Sequence, residues 1–279
     1  MEEIKQGTLY LCPTPIGNLE DITLRTLKVL QGVDLVAAED TRHSLALLNH
    51  FEIKKPLISY FEHNKLERGP EIAEKLLAGE SVALVTDAGT PAISDPGEDL
   101  VKLCIEKKIP VVPLPGANAA ITALIASGIE TARFTFVGFL PVNKKERREQ
   151  LEGIKNYPET LIFYEAPHKV KNTLQSMLEV LGDRKICLCR ELTKKFEEFR
   201  PCLVSEAIEH YKAEDPRGEF VIVVSGCKNP QPHEAKEEMT LQETYEKYLA
   251  EGVDYKEAIK LAARDKNLSK REAYDILKK

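Results

Sequence analysis

Short apolar runs alternate with amphipathic stretches from residue 8 to about residue 125. Runs bounded by turn residues predict strands, and they lie at Thr8–Cys12, Asp34–Ala38, Pro56–Tyr60, Ser81–Thr86 and Pro110–Leu114. Helical spacing predicts helices between them, at Ile22–Gln31 (with Asp21 as N-cap and Gly32 as terminator), Glu71–Ala78 and Glu98–Lys108. Strands that alternate with helices indicate a mostly parallel sheet covered on both faces.

The second half keeps this α/β character. Its predicted strands are Phe134–Val137, Thr160–Tyr164, Lys185–Arg190, Glu198–Leu203 and Glu219–Ser225. Its predicted helices are Lys144–Lys155, Val170–Leu181 and Ser205–Tyr211. Because no helix separates 185–190 from 198–203, we expect a mixed sheet here.

The segment that follows changes in character. Asn229–His233 contains two prolines and is typical of a linker. Capping-box patterns then begin at Thr240, Asp254 and Ser269, and they predict helices at 241–251, 255–266 and 270–278. Such a unit suits a helix-turn-helix-like arrangement, and a helical tail packed on its own chain or on a dimer partner is an equal alternative. We therefore expect two α/β domains, 1–115 and 116–228, and a small trihelical domain at 235–279.

Composition narrows the class of protein. The 279 residues are 43% hydrophobic and 30% charged, and no run approaches the roughly 20 apolar residues of a membrane span. Met1–Gln6 is polar and lacks the pattern of a signal peptide, which predicts a cytoplasmic location with no membrane association. The six cysteines form no C-x-x-C pair, so we expect buried free thiols. A net charge of −6 argues against non-specific coating of nucleic acid but leaves room for a local basic site.

Polar clusters follow the five strands of the first half, at the predicted carboxyl end of each. They are Thr14–Asn18, Glu39–Arg42, Glu62–Asn64, Asp87–Pro91 and Pro115–Asn118. Open α/β sheets bind ligands outside these strand ends. The shared edge therefore predicts one binding site built from several loops.

The individual clusters are less specific. No G-x-G-x-x-G or phosphate-loop motif is present, and Pro15 with Gly17 is equally explained as a turn. The run Thr86–Gly97 is longer than a strand-to-helix turn requires, and small residues there allow a ligand to approach the backbone. Glu39–Arg42 fits a local salt bridge or helix cap as well as a site.

The second half adds three polar strings after or before strands. They are Tyr164–His168, Arg190–Lys194 and Gly218–Phe220. No serine or cysteine sits on a nucleophile elbow, so no hydrolase triad is predicted. Arg190 and Lys194 beside Glu191 suit a charge network as well as a phosphate contact.

Together these strings resemble a known family. Thr14-Pro-Ile-Gly-Asn-Leu19, Ala38-Glu-Asp-Thr-Arg42, Val85–Gly97, Tyr164-Glu-Ala-Pro-His-Lys169, Arg190–Lys194 and Gly218–Phe220 are similar to the bacterial 16S ribosomal RNA 2′-O-methyltransferases of the RsmI family. The resemblance spans about residues 7–227, and the tail resembles the small helical domain of many members. This family belongs to the tetrapyrrole-methylase-like (class III) S-adenosylmethionine-dependent methyltransferases.

The resemblance implies a two-domain α/β fold with S-adenosylmethionine in the cleft between the domains, no metal, and a homodimer. It also implies methylation of the ribose 2′-hydroxyl of one cytidine in the decoding region of 16S rRNA, with the RNA inside the small ribosomal subunit as the expected partner. Aligned onto the wider superfamily, the implied cofactor-binding residues are Pro15, Asp87, Ala88, Gly89, Ala92, Asn118, Ala119 and Glu165.

A ribose hydroxyl needs a base to accept its proton. The candidates are Asp40 or Glu39 as base, with Arg42 or Lys194 binding phosphate or stabilising the oxyanion. RNA contacts are expected from Lys144, Lys145, Arg147 and Arg148, and from residues 252–279, with solvated helix faces as the alternative.

Two rival functions stay open at this point. A methylase acting on a tetrapyrrole shares the expected fold. A non-catalytic RNA-binding protein of ribosome assembly is the second rival, and it would not bind S-adenosylmethionine.

Overall fold

The first half of the chain folds into a sheet of five parallel strands. The computed structural model describes residues 4–229, 240–266 and 268–277. The strands are β1 (Leu9–Leu11), β2 (Leu35–Ala38), β3 (Leu57–Ser59), β4 (Val82–Val85) and β5 (Val111–Pro113). Their order is β3-β2-β4-β1-β5, and every neighbouring pair is parallel. The five predicted strands and the parallel sheet are confirmed.

Five helices connect these strands or follow them. They are α1 (Leu24–Gly32), α2 (Thr41–His50), α3 (Lys65–Leu77), α4 (Gly97–Glu106) and α5 (Ala119–Ala126). The expected cap of α1 is wrong, because the side chain of Thr23 accepts the Thr26 N–H at 3.0 Å while Asp21 ends a preceding 3₁₀ turn. Gly32 is itself the last residue of α1, so it is not the terminating residue beyond the helix that was expected. Helices α2 and α5 were not predicted.

The second half contains the expected mixed sheet. Its strands are β6 (Phe134–Phe139), β7 (Thr160–Glu165), β8 (Lys185–Arg190), β9 (Glu198–Leu203) and β10 (Phe220–Val224). The order is β6-β7-β10-β8-β9, in which only β6 and β7 are parallel. The helices of this half are α6 (Lys144–Ile154), α7 (Val170–Leu181) and α8 (Val204–Ala213).

Both sheets are buried on their two faces. In the first sheet, Leu35 and Ala37 enter one apolar core while Val36 and Ala38 enter another, as the two-residue period of a strand requires. In the second sheet, Phe163 and Ile162 divide in the same way between two cores. Helix α5 packs into the core of the second sheet, although it follows β5 of the first. This packing joins the two halves beside the strand ends of the first sheet.

Residues through Lys228 form one compact unit, and a second unit begins at Asn229. The described helices of the second unit are α9 (Leu241–Ala250), α10 (Tyr255–Asp265) and α11 (Lys270–Leu277), which pack around Ile259, Ala263 and Ala273. Thr240 and Glu243 form the expected capping box. The expected linker lies outside the described residues apart from Asn229. The division of the larger unit into domains at residue 115 stays a prediction.

Within the described part of the chain, no helix combines the length and apolarity needed to cross a membrane. All six cysteines are free thiols, and four of them are buried.

Leu174→Ala tests the packing of the second sheet. Leu174 is fully buried in its core, so the change should lower the free energy of unfolding by about 2–5 kcal/mol. Leu66→Ala on α3 is the matched control, because Leu66 is 89% exposed and its loss should change the free energy by less than about 0.5 kcal/mol. Denaturant titration measures both, and equal effects would contradict the packing described here.

Candidate functional site

A cavity of about 660 Å³ lies between the strand ends of the first sheet and the second sheet. Loops after β2, β4 and β5 form one wall, and the end of β7 with the start of β10 forms the other. Its size is within the range of small-molecule sites. Seven expected site residues line it: Glu39, Asp87, Ala88, Gly89, Asn118, Ala119 and Glu165.

The loops after β1 and β4 are joined directly. Thr14 and Gly89 exchange two backbone hydrogen bonds, of 2.9 and 3.1 Å, and the Thr14 hydroxyl donates to the Thr86 carbonyl at 3.1 Å. Gly89 has a φ of 86°, and a Cβ there would lie 3.2 Å from Ile16 Cγ2. A side chain at residue 89 would therefore be strained and crowded, which explains glycine in this loop.

Asp95 organises the rest of the loop after β4. Its Oδ1 accepts the N–H groups of Ala92 and Gly97 at 2.9 and 2.8 Å. Ala92 and Ser94 have φ values of 68° and 66°, which are strained for residues with a side chain. Asp95 Oδ2 is buried with no hydrogen-bond partner among the described residues. Burial raises the pKa of this carboxyl, and the orphaned oxygen marks a place for a donor from a ligand.

Two acidic side chains meet at the neighbouring strand ends. The Thr86 hydroxyl donates to Glu39 Oε2 at 2.7 Å, and the backbone N–H of Asp40 donates to Asp87 Oδ1 at 3.0 Å. Burial first, and then the charge of Glu39, raise the pKa of Asp87. This pair can accept a proton or attract a cation.

Asp40 and Arg42 do not line the cavity. Asp40 caps α2 by accepting the Arg42 N–H at 2.8 Å, and its carboxylate bonds the Arg42 guanidinium at 3.1 and 2.7 Å. These contacts with Arg42 hold the pKa of Asp40 far below its usual range. The Arg42 side chain is 89% exposed. The geometry is thus that of a helix cap with a local ion pair, and the catalytic roles of both residues stay predictions.

Lys194 stands beside the cavity rather than in its wall. Its ammonium donates to Glu191 at 3.1 Å and to Glu219, a lining residue, at 2.8 Å. A Cβ on Gly17 would lie 2.4 Å from Lys194 Cγ, so the loop after β1 packs tightly on this segment. Pro15 and Ala92 are likewise outside the lining. Lys194 therefore fixes the rim through an ion-pair network.

Several polar groups from both walls of the cavity are already bonded within the chain. Glu165 is 3% exposed and accepts from the Ala166 N–H at 2.9 Å and the Thr173 hydroxyl at 2.5 Å. Asn118 Oδ1 accepts the Ile121 N–H at 3.1 Å and caps α5. These side chains are held rigidly at the cavity. Rigid support of this kind keeps a site in its binding geometry.

The sequence predictions missed several lining residues. Asp95, Phe139, Tyr164, His168, Leu192 and Val221 also line the cavity. Asp95, Tyr164, His168 and Leu192 fall inside strings that had been singled out, so their position carried a signal. Leu192 and Val221 are apolar, and no chemical pattern distinguishes them from core residues.

The basic cluster on α6 is only partly as expected. Lys144, Lys145 and Arg148 are exposed, but Arg147 is 8% exposed. The Arg147 guanidinium donates to the Ser176 hydroxyl at 2.9 Å and to the Val142 carbonyl at 2.9 Å. Arg147 is thus buried and bonded within the fold through Nε and Nη1, unlike its exposed neighbours, and its contact with RNA stays a prediction.

Comparisons with known proteins agree with this architecture. Residues 8–208 match the family model of the tetrapyrrole (corrin/porphyrin) methylases. The cobalt precorrin-4 methyltransferase structure has a TM-score of 0.59 at 17% identity and covers 78% of this chain and 95% of its own. The uroporphyrin-III C-methyltransferase of Thermus thermophilus, solved with S-adenosyl homocysteine, has a TM-score of 0.55 at 19% identity and covers 77% and 96%. The fold is therefore that of this class of methylases.

A relative of higher sequence identity shows to which group within this family the chain belongs. The ribosomal RNA small subunit methyltransferase I of Bacillus subtilis is 53% identical over 272 residues, which is 96% of this chain and 93% of the relative. The chain belongs to the tetrapyrrole methylase family and, within it, to the ribosomal RNA small subunit methyltransferase I group.

Asp95→Asn tests the buried carboxyl. Because the pKa of Asp95 is raised in the folded state, its favourable contribution is present below the unfolded pKa and is lost as pH rises through the folded pKa. The free energy of unfolding of the variant, relative to wild type, should therefore increase as pH rises above about pH 4, the pKa of an unfolded aspartate. Denaturant titrations across this range measure the slope. Asp215→Asn is the control, since salt bridging lowers the pKa of that exposed residue; a flat difference for Asp95→Asn would contradict the assignment.

Proposed function

We propose that this protein is an S-adenosylmethionine-dependent methyltransferase that methylates the ribose 2′-hydroxyl of a cytidine in the decoding region of 16S rRNA. The substrate is the RNA within the small ribosomal subunit, and the enzyme acts in the cytoplasm as a homodimer. One observation carries the proposal: a cavity of about 660 Å³ lies at the ligand-binding edge of a methylase fold, in a chain 53% identical to a small subunit rRNA methyltransferase.

The cavity suits S-adenosylmethionine chemically. The cofactor carries a sulfonium, an ammonium and several hydrogen-bond donors, whereas Glu39, Asp87 and Asp95 are acidic. The orphaned Oδ2 of Asp95 matches one of these donors. Leu192 and Val221, which are 6% and 5% exposed, supply apolar surface for the adenine ring. Backbone around Ala88 and Gly89 allows close approach.

The chemistry requires positioning more than activation by the protein. When bound, S-adenosylmethionine supplies an activated methyl group, which leaves orientation and proton removal to the chain. The Thr14–Gly89 pairing holds the loops after β1 and β4 together, and the ion pair of Lys194 with Glu219 fixes the rim. Glu39 is the preferred base, because it lines the cavity and Asp40 does not.

A tetrapyrrole methylase is the weaker candidate. The solved tetrapyrrole methylases are 17–19% identical to this chain and share only its fold, whereas the rRNA methyltransferase of B. subtilis matches 96% of it. The mass spectrometry experiment below distinguishes the two. A non-catalytic protein would fail to bind the cofactor at all.

Asp87→Ala should weaken the binding of S-adenosylmethionine, since it removes a carboxylate from the cavity wall. Calorimetry measures the dissociation constant, and loss of one charged contact corresponds to roughly 10-fold or more. Asp215→Ala removes an exposed carboxylate elsewhere and should leave the affinity unchanged. Equal affinities for Asp87→Ala and wild type would place the cofactor in a different loop.

Glu39→Gln should slow methyl transfer by about 10²–10⁴-fold, the usual contribution of a positioned base. Single-turnover transfer from labelled cofactor to small subunits that lack the modification measures the rate. Asp40→Asn is the matched comparison: it should keep the rate, because Asp40 does not line the cavity, and it should keep the fold, because asparagine can still cap α2 by accepting the Arg42 N–H. Wild-type rates in both variants would rule out either residue as base.

Mass spectrometry of the labelled 16S rRNA locates the methyl group. A ribose-methylated cytidine in the decoding region supports the proposal. A methyl group on a base, or none on RNA, overturns it.

A further inference from the structure

An exposed aromatic ring stands at the open side of the cavity. Phe139 is the last residue of β6, lines the cavity and is 54% exposed. Its chain neighbours Gly138 and Leu140 are buried. Single exposed apolar side chains are ordinary on protein surfaces, so Phe139 is of interest because its ring lines the cavity.

A bulge in β6 directs Phe139 toward the cavity. Phe136 pairs with Ile162 and Phe139 pairs with Tyr164, so β6 advances by three positions where β7 advances by two. Side chains alternate along a regular strand, so residues three positions apart would face opposite sides of the sheet. The bulge instead brings Phe136 and Phe139 to the same side, where both rings contact Tyr164. Gly138 adopts a φ of 74° at this point. Bulges that reorient a side chain are typical near functional sites.

The bulge builds an aromatic cluster. The Phe139 and Phe136 rings contact the Tyr164 ring edge to face, with centroids 5.6 and 5.0 Å away. The Tyr164 hydroxyl in turn accepts the Ala120 N–H at 3.1 Å, at the start of α5. Phe139 is thus held in place by rings that are themselves anchored, and a preorganised surface binds with a smaller entropic cost.

We propose that the Phe139 ring stacks on the base of the acceptor nucleotide and so positions its ribose at the cavity. The inference rests on the proposed function and identifies the substrate contact within the same site. Proteins that read RNA commonly stack unpaired bases on aromatic side chains. The contact orients the nucleotide without selecting its sequence, because every base has a π-face.

The adenine of the cofactor is the competing occupant of this ring. The apolar lining residues Leu192 and Val221 are 6% and 5% exposed and suit a bound adenine, whereas Phe139 is 54% exposed. The acceptor must enter from the solvent side, where Phe139 lies. Lys144 and Lys145 are 74% and 84% exposed and begin α6 within about 20 Å of chain from Phe139, a distance suited to RNA phosphates.

Phe139→Ala tests the stacking. With small subunits that lack the modification, kcat/KM for the subunit should fall about 5- to 150-fold, the effect of losing one stacked base. The dissociation constant of S-adenosylmethionine, measured by calorimetry, should not change. Phe139→Tyr should retain activity, because tyrosine keeps an aromatic ring. Phe139→Leu should lose activity as Phe139→Ala does, since leucine keeps apolar surface but lacks a π-face.

Phe134→Ala is the matched control. Phe134 lies on the same strand, is 42% exposed and does not line the cavity, so this variant should behave as wild type. Thermal unfolding of all variants separates a folding defect from a binding defect.

The outcomes are distinct. An unchanged kcat/KM in Phe139→Ala, a loss confined to cofactor affinity, or full activity in Phe139→Leu overturns the stacking while the proposed function stands. A wild-type protein that transfers no methyl group to the subunit overturns the proposed function and this inference with it.

Discussion

The site depends on the backbone pairing between Thr14 and Gly89. These residues follow β1 and β4, which are neighbours at the centre of the parallel sheet, so their loops leave the same edge side by side. Two backbone hydrogen bonds hold the two loops together, and the strained segment at Ala92 and Ser94 follows Gly89 in the second of them. Asp95 maintains that segment by accepting two N–H groups. The positive φ values therefore persist because the surrounding bonds over-determine them.

Much of this arrangement follows from local sequence. Strand positions were predictable because each apolar run is short and ends at turn residues, and the shared carboxyl edge then brought Glu39, Asp87 and Asn118 into one region. Predictions became weaker where tertiary packing decides the outcome. Helix α5 is apolar almost all round, and only its burial against the second sheet explains it.

The charged residues show the same limit. The charge of a residue does not show whether its side chain is exposed or hydrogen-bonded within the fold. Arg147, for example, donates to Ser176 within the protein, whereas its neighbour Arg148 is exposed. Adjacent acids also diverge: Glu39 lines the cavity, whereas Asp40 turns to Arg42 and caps α2. Two neighbouring acidic residues therefore contact different groups. The string E-D-T-R alone does not show which of the two side chains faces the cavity.

The distribution of charge around the cavity bears on how a nucleic acid could use it. Five acidic residues line the cavity, and among its described lining residues no lysine or arginine is present. Such a surface attracts a cationic cofactor and repels phosphate. An RNA acceptor must therefore keep its backbone at the rim and present only a sugar and base to the opening. A neutral aromatic surface at Phe139 meets this requirement, because stacking attracts a base without attracting its phosphate. The net charge of −6 is thus compatible with RNA as substrate, provided that recognition is confined to the edge of an acidic site.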